Sequence, residues 1–402
     1  MTHHLAIIGA GPKGIAICAR AALLASIGKA VPQIAVFEKQ QAAAQWNGSC
    51  GYTDGQQRLG TSPEKDVGYP YPQNWGPTVA RRMQRFSWQA FNVQKGAYTD
   101  WIDRGRPQPL HREWAEYLTW VLDEAREFAR HVGHGNLITV YDSEVTEIGL
   151  AGSMWTITSS NTSHSQVANG LVVTGHGEVD VTPIKQVMSS RPGRVFTGKD
   201  FWSRPEDVSR IAQGSTVAVI GSGETAAAIV AKLVERFDRT CRIRVVNRQR
   251  TIFSRNETYH ENRFYSDPTD WELMSVEERD QFLKRTDKSV VSQQYAEAVS
   301  YAEHLRLQVV SVEADPKGPG ILLKASGASD VSADYIVWAA GFDPLWFRGR
   351  MTPAGRAYVS ADPQVVRRKI EYDLGVAGLP DNLKLHLPIP GRGGRLAGLA
   401  RS

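Results

Sequence analysis

A short apolar run that enters a Gly-x-Gly-x-x-Gly or Gly-x-Gly-x-x-Ala turn and leaves it as an alanine-rich helix allows few outcomes other than a βαβ unit. This chain contains the pattern twice. The first copy is Leu5-Ala6-Ile7-Ile8, then Gly9-Ala10-Gly11-Pro12-Lys13-Gly14, then an apolar stretch to Leu24. The second is Thr216-Val217-Ala218-Val219-Ile220, then Gly221-Ser222-Gly223-Glu224-Thr225-Ala226, then a similar stretch to Phe237. Each is followed by another strand-like run, Gln33 to Glu38 and Arg242 to Asn247. In such a turn the first glycine permits the bend and the second lets the backbone approach a pyrophosphate. The third small residue lets the helix pack closely on the sheet, and the helix N-terminus adds partial positive charge. Gly9 and Gly221 lie 212 residues apart, too far for neighbouring solenoid repeats. The expected fold class is therefore α/β, with two Rossmann-like dinucleotide-binding domains in one chain of 402 residues.

The two copies differ where the adenosine ribose should lie. Glu38 ends the strand after the first turn, and a carboxylate there accepts hydrogen bonds from a ribose diol. No carboxylate ends the corresponding strand of the second copy; Arg248 and Arg250 follow it instead. Arginine forks suit a 2′-phosphate, so the second site is expected to take NADPH rather than NADH. Two such folds, the first close to the N-terminus, imply a flavoprotein whose FAD is reduced by NADPH. The expected FAD contacts are Gly9, Gly11, Pro12, Gly14 and Glu38. Those for NADPH are Gly221, Gly223, Thr225, Arg248 and Arg250. Two further strand-to-glycine segments end at Gly175 and Gly341, and both are expected to bring backbone back to the flavin. On this reading residues 1–195 and 335–402 form a discontinuous FAD domain, into which an NADPH domain of residues 196–254 and 306–334 is inserted.

Elsewhere, Arg112 to Arg130 reads as an amphipathic helix with Trp114, Tyr117, Leu118, Val121 and Leu122 on one side. Residues 138–141, 145–148, 154–158, 306–312 and 321–325 read as strands. Ser275-Val276-Glu277-Glu278 is a capping box expected to open a helix, and Val290 to Leu305 reads as another. The Gly-Arg-rich stretch from Gly391 to Ser402 has no periodicity.

Several functions are excluded. The three cysteines, Cys18, Cys50 and Cys241, include no Cys-x-x-Cys, so there is no dithiol redox centre and no metal site is expected. Their scarcity points to a reducing compartment, the cytoplasm. No apolar stretch approaches the ~18 residues of a membrane span; Leu5 to Ile27 is interrupted by Pro12, Lys13 and Arg20. No charged n-region precedes Leu5, so no signal peptide is expected. The net charge of +5 is scattered and lacks an aromatic-basic stripe, which argues against nucleic acid. The Phe-x-Gly-x-x-x-His motif of flavin-containing and Baeyer–Villiger monooxygenases is incomplete: after Phe196 and Gly198, Trp202 stands in place of the histidine.

Longer runs carry a more specific likeness. They are Asp54-Gly55-Gln56-Gln57-Arg58-Leu59-Gly60-Thr61-Ser62-Pro63-Glu64-Lys65-Asp66-Val67-Gly68, Trp101 to Pro107, Phe264 to Trp271, Arg285 to Val291 and Asp343 to Phe347. In these the chain resembles the microbial N-hydroxylating flavin monooxygenases, above all the mycobactin-type L-lysine 6-monooxygenases of siderophore biosynthesis. The resemblance implies that NADPH reduces FAD, that a flavin hydroperoxide forms with dioxygen, and that the neutral side-chain amine of L-lysine attacks it to become an N6-hydroxyamine. It further implies that Lys65 and Asn256 bind the substrate carboxylate, that Asp287 is the catalytic-site residue near the substrate amine, and that residues 255–305 form a helical substrate-binding region. Gly60 departs from the ornithine branch, which has Gln beside the flavin there. Relatives continue through a C-terminal segment that helps cover the flavin, whereas this chain ends at Ser402. Ornithine or acyl-lysine as substrate, and a non-hydroxylating NADPH-dependent flavoprotein, are the alternatives. The expected partners are small molecules, L-lysine and dioxygen, with homo-oligomerisation left open.

Overall fold

Near-continuous apolar strands must be covered on both faces, and this requirement builds the same sandwich twice. The computed structural model describes residues 4–69, 71, 77–152, 154–161, 166–238, 240–249, 251–254, 258–266, 273–275, 277–278, 281–282, 285, 290–343, 345–359 and 384–386. They fall into two compact units. One draws on Met1–Asn47, Ser62–Gly177 and Pro344–Ser402, the other on Gly48–Thr61 and Glu178–Asp343.

The first unit is centred on a five-stranded parallel sheet. Its strands are β1 (His4–Ile8), β2 (Gln33–Glu38), β3 (Ile138–Asp142), β7 (Gly170–Val173) and the segment Lys384–His386. They are ordered Lys384–His386, β7, β1, β2, β3. Side chains alternate between the faces. Ala6 and Ile8 pack with Trp155 and Ile157, which belong to an antiparallel meander of β4 (Val145–Ala151), β5 (Met154–Ser159) and β6 (Gln166–Ala168). Ile7 points the other way, toward helix α1 (Pro12–Ser26): a Cβ on Gly14 would lie 3.2 Å from Ile7 Cγ2. Two more helices bear on the site, α2 (Trp88–Gln94) and α3 (His111–His131). The expected stripe on α3 is buried, with Trp114, Tyr117, Leu118, Val121 and Leu122 all inside. Trp88 and Phe91 of α2 meet the Tyr117 ring edge-on.

The second unit repeats the plan. Its parallel strands β8 (Val195–Thr197), β9 (Thr216–Ile220), β10 (Arg242–Asn247), β13 (Glu303–Arg306) and β17 (Tyr335–Trp338) are ordered β13-β10-β9-β17-β8. Val217 and Val219 pack with Ala226, Ile229, Val230 and Leu233 of helix α4 (Glu224–Phe237). Ala218 and Ile220 pack with Val312, Ile321, Leu323 and Ala333, from the meander β14 (Val309–Ala314), β15 (Ile321–Ala325) and β16 (Val331–Ala333). A fully buried Val, Ile or Leu contributes about 1.5–3 kcal/mol, so these alternating strips hold the sandwich. A short parallel pair, β11 (Phe253–Ser254) with β12 (Val290–Val291), completes the unit.

Two expectations change. Val290–Leu305 is not one helix: after β12 come a 3-10 turn at Gln293–Tyr295, a helix at Ala296–Ser300 and strand β13. Val291 and Tyr295 are drawn into a core with Ala227, and residues 303–306 pair with β10; tertiary pairing overrides the helical pattern. Tyr335–Trp338 does not return the chain to the first sheet. It lies between β9 and β8 in the second, paired with Val217–Ile220 on one side and Val195–Thr197 on the other. The capping box is made as read: Ser275 N–H donates to Glu278 Oε2 at 2.7 Å, and Glu278 N–H to Ser275 Oγ at 3.2 Å. Among the described residues, no helix is long and apolar enough to cross a membrane. The 391–402 stretch lies outside the described residues.

Candidate functional site

The first glycine turn sits at the carboxyl end of β1, where parallel α/β sheets receive ligands. Gly9 has φ +98°, and a Cβ there would meet Thr174 Oγ1 at 2.3 Å. A Cβ on Gly14 would come within 2.5 Å of the Gly9 carbonyl oxygen. These two glycines are required by the fold itself. Gly11 differs: its φ is −84°, and a Cβ would meet nothing within 4 Å. Pro12 opens α1, and Gly11 at the N-cap supplies no side-chain acceptor, which leaves first-turn N–H groups for an anion. Glu38 borders this cradle. Its Oε2 accepts the Ala10 N–H at 2.9 Å and its Oε1 the Gln40 N–H at 3.0 Å. Each carboxylate oxygen has a second lone pair to offer a ribose hydroxyl. Gly175 follows β7 with φ +84° and open space beside it. An open second glycine, uncapped helix amides and a bordering carboxylate fit the pyrophosphate and ribose of a dinucleotide.

The second turn repeats the geometry at the end of β9. Gly221 has φ +135°, and a Cβ there would press to 2.3 Å from the Ala339 carbonyl oxygen, whereas Gly223 is open. Thr225 lies in the first turn of α4, its methyl close to Gly198: a Cβ on Gly198 would be 3.1 Å from Thr225 Cγ2. The adjacent Glu224 is turned to a structural task, accepting the Ser292 N–H at 2.7 Å. Arg248 is exposed on the bend after β10. Gly341, expected beside the flavin, lies in the second unit just beyond β17, with φ +106°. Arg250, Asn256 and Asp287 lie outside the described residues. Among the described residues, no group of three or more His, Cys, Asp or Glu side chains could hold a metal ion.

Lys65 is half-buried in the first unit, the unit that holds the first glycine turn. Its N–H donates to the Ser62 carbonyl at 3.0 Å. The loop around it is pinned by two buried groups. Asp66 accepts the Tyr71 hydroxyl at 2.7 Å and the N–H groups of Gly68 and Trp88 at 3.0 Å each. Tyr117 of α3 donates to the Phe86 carbonyl at 2.8 Å and accepts the Val67 N–H at 3.2 Å. Sequence reasoning passed over Asp66, because an aspartate beside a lysine reads as an ordinary surface pair. Only the fold shows it inside, 4% exposed.

Burial pushes the Asp66 carboxyl up from 3.8 to about 6, against the pull of the Tyr71 hydroxyl and backbone N–H groups. Between those two values the folded chain holds a proton that the unfolded chain has released, so this group's contribution to stability is lost as pH rises from about 4 to about 6. Asp66→Asn should remove that slope. The difference between wild-type and variant unfolding free energies, measured by denaturant titration, should change by on the order of 3 kcal/mol between pH 4 and pH 7. A pH-independent difference would show that Asp66 titrates normally.

A family profile described as L-lysine 6-monooxygenase/L-ornithine 5-monooxygenase matches residues 1–311. The L-lysine N6-monooxygenase MbtG of Mycolicibacterium paratuberculosis is 38% identical over 356 residues, covering 85% of this chain and 78% of that protein. Among solved structures, the lysine monooxygenase NbtG from Nocardia farcinica superposes with a TM-score of 0.76 at 31% identity, over 96% of this chain and 93% of that one. The Kutzneria ornithine N-hydroxylase KtzI, solved with reduced FAD, NADP+ and L-ornithine, has a TM-score of 0.66 at 19% identity, covering 90% of this chain and 86% of that one. At that identity the likeness is one of fold.

Proposed function

Since the chain belongs to the L-lysine 6-monooxygenase/L-ornithine 5-monooxygenase family, we propose that it is an FAD- and NADPH-dependent monooxygenase that hydroxylates the side-chain amine of L-lysine in siderophore biosynthesis. The observation that carries this reading is the pair of dinucleotide cradles, each with a middle glycine, Gly11 or Gly223, whose missing Cβ leaves open space. FAD is assigned to the first, against Gly9, Gly11, Pro12, Gly14, Glu38 and Gly175. NADPH is assigned to the second, against Gly221, Gly223, Thr225 and Arg248, and Arg250 is a further proposed contact. Gly341 stays assigned to FAD. The bound cofactors supply the electrons and the activation of dioxygen. The protein's own part is to hold the amine still, neutral and away from bulk water. A free lysine amine has a pKa of ~10.4 and is mostly protonated near neutrality, so the site must favour the neutral form by desolvation or by accepting its hydrogen bond. Lys65 and Asn256 are the proposed carboxylate anchors, and Asp287 the residue near the amine. The proposed compartment is the cytoplasm.

Product analysis tests the reading directly. With NADPH and air, L-lysine should yield N6-hydroxylysine in near-stoichiometric amount to NADPH consumed. L-Ornithine, one methylene shorter, should react less well, though one methylene discriminates by only about 1–3 kcal/mol. Acyl-lysine as the better substrate would move the enzyme to a later step. NADPH oxidation that gives only hydrogen peroxide with every amine would replace the hydroxylase with a flavoprotein that does not hydroxylate.

A further inference from the structure

The second cradle holds a feature that the glycine pattern does not reveal. Strands β10 and β13 run parallel and end together, with Asn247 opposite Arg306. The Gly221 N–H donates to the Val246 carbonyl at 2.9 Å, so this end of β10 lies against the glycine turn. The last residue of the second strand is the one that addresses the adenosine ribose in a dinucleotide domain. Here it is Asn247, 8% exposed. Its Oδ1 accepts the Gln249 N–H at 3.0 Å and lies 3.0 Å from His304 Nε2. A backbone N–H can only donate, so the amide oxygen must face Gln249 and the amide nitrogen must face the other way. That nitrogen, Nδ2, is buried and has no partner among the described residues. Buried donors are almost always satisfied, and an orphan calls for a bound water, an ion or a ligand.

The neighbouring side chains are cationic. The Arg306 Nε donates to the Arg248 carbonyl at 3.5 Å, which brings its guanidinium to the bend that carries Arg248. Both arginines are exposed. Among the described residues, neither forms an ion pair with a carboxylate. Two guanidinium groups and an orphaned amide donor, with no neutralising carboxylate, are matched by a phosphate dianion next to a ribose.

We infer that Arg306 and Asn247, together with Arg248, form the subsite for the 2′-phosphorylated ribose of the nicotinamide cofactor. Arg306 supplies a second guanidinium from the neighbouring strand, and the Asn247 Nδ2 supplies a donor where NAD-preferring folds carry a carboxylate. This inference rests on the assignment of NADPH to the second turn. Arg306 sets the strength of 2′-phosphate binding. Asn247 sets its sign, because a carboxylate in the same place would repel the phosphate and accept from a bare diol.

The test uses the intact flavin-containing protein and two probes, adenosine 2′,5′-bisphosphate and 5′-AMP, titrated by calorimetry. Wild type should bind the bisphosphate at least tenfold more tightly than 5′-AMP. Arg306→Ala should weaken the bisphosphate by about ten- to a hundredfold, as expected for a lost charge-assisted hydrogen bond, and leave 5′-AMP unchanged. Arg306→Lys, which keeps the charge without the fork, should fall between. Asn247→Asp should remove the preference and move the NADPH-to-NADH ratio of kcat/KM toward or below one. If wild type discriminates between the probes and Arg306→Ala discriminates equally well, the inference is overturned while the NADPH assignment stands. Equal weakening of both probes in Arg306→Ala also counts against it. If wild type itself fails to discriminate, the NADPH assignment falls first.

Discussion

Gly11→Val is expected to give a folded protein that carries no flavin. The three glycines of the first turn are glycines for different reasons, and the difference makes the experiment clean. A side chain at Gly9 would need φ +98° and would strike Thr174, and one at Gly14 would strike the Gly9 carbonyl. Either substitution damages the sheet–helix junction and says nothing about a ligand. Gly11 has φ −84° and ψ −176°, values that any L-residue adopts, and its Cβ would meet no protein atom within 4 Å. Nothing among the described residues demands glycine there, as expected of a position over which a bound pyrophosphate is to lie. The purified variant should melt as a cooperative unit and show no flavin absorbance, whereas wild type should be yellow. Full flavin stoichiometry in the variant would remove the first turn as the FAD site.

Lys65→Ala is expected to raise the KM for lysine by about ten- to a hundredfold, the range set by losing a charge-assisted hydrogen bond worth ~1.5–3 kcal/mol. The loop is held by Asp66 and Tyr117 through bonds that do not involve the Lys65 side chain, so the variant should keep its loop geometry and its flavin. Oxidation of NADPH without substrate should be nearly unchanged. Hydrogen peroxide should rise relative to hydroxylamine, because an unanchored amine is poorly placed for the activated oxygen. Unchanged KM together with unchanged coupling would remove Lys65 from the substrate site.

The parts of this fold that could be read from the sequence are those fixed by local chemistry. The glycine turns, the strands before them and the α3 stripe each follow from a period or a steric demand visible within about twenty residues. What could not be read depends on pairing across long stretches of chain. Residues 303–306 look like the end of a helix until β10 claims them, and Tyr335–Trp338 looks like a return to the first sheet until β9 and β8 take its two edges. The same long reach hides Arg306, which meets Asn247 only through that strand pairing. Asp66 is hidden for another reason: nothing in its neighbours announces that Trp88, in a later helix, will bury it.

The place of β17 also bears on how such a chain matures as it leaves the ribosome. β9 can pair with β10 soon after both are made, but its other edge waits for residues 335–338, and β8 joins the sheet only through them. Until Trp338 has emerged, the middle of the second unit presents an open apolar edge and a stranded β8, the kind of surface that recruits chaperones or sticks to its like. A nascent chain stopped before Tyr335 therefore loses more than its last strand: it loses the seam that closes everything synthesised since Val195.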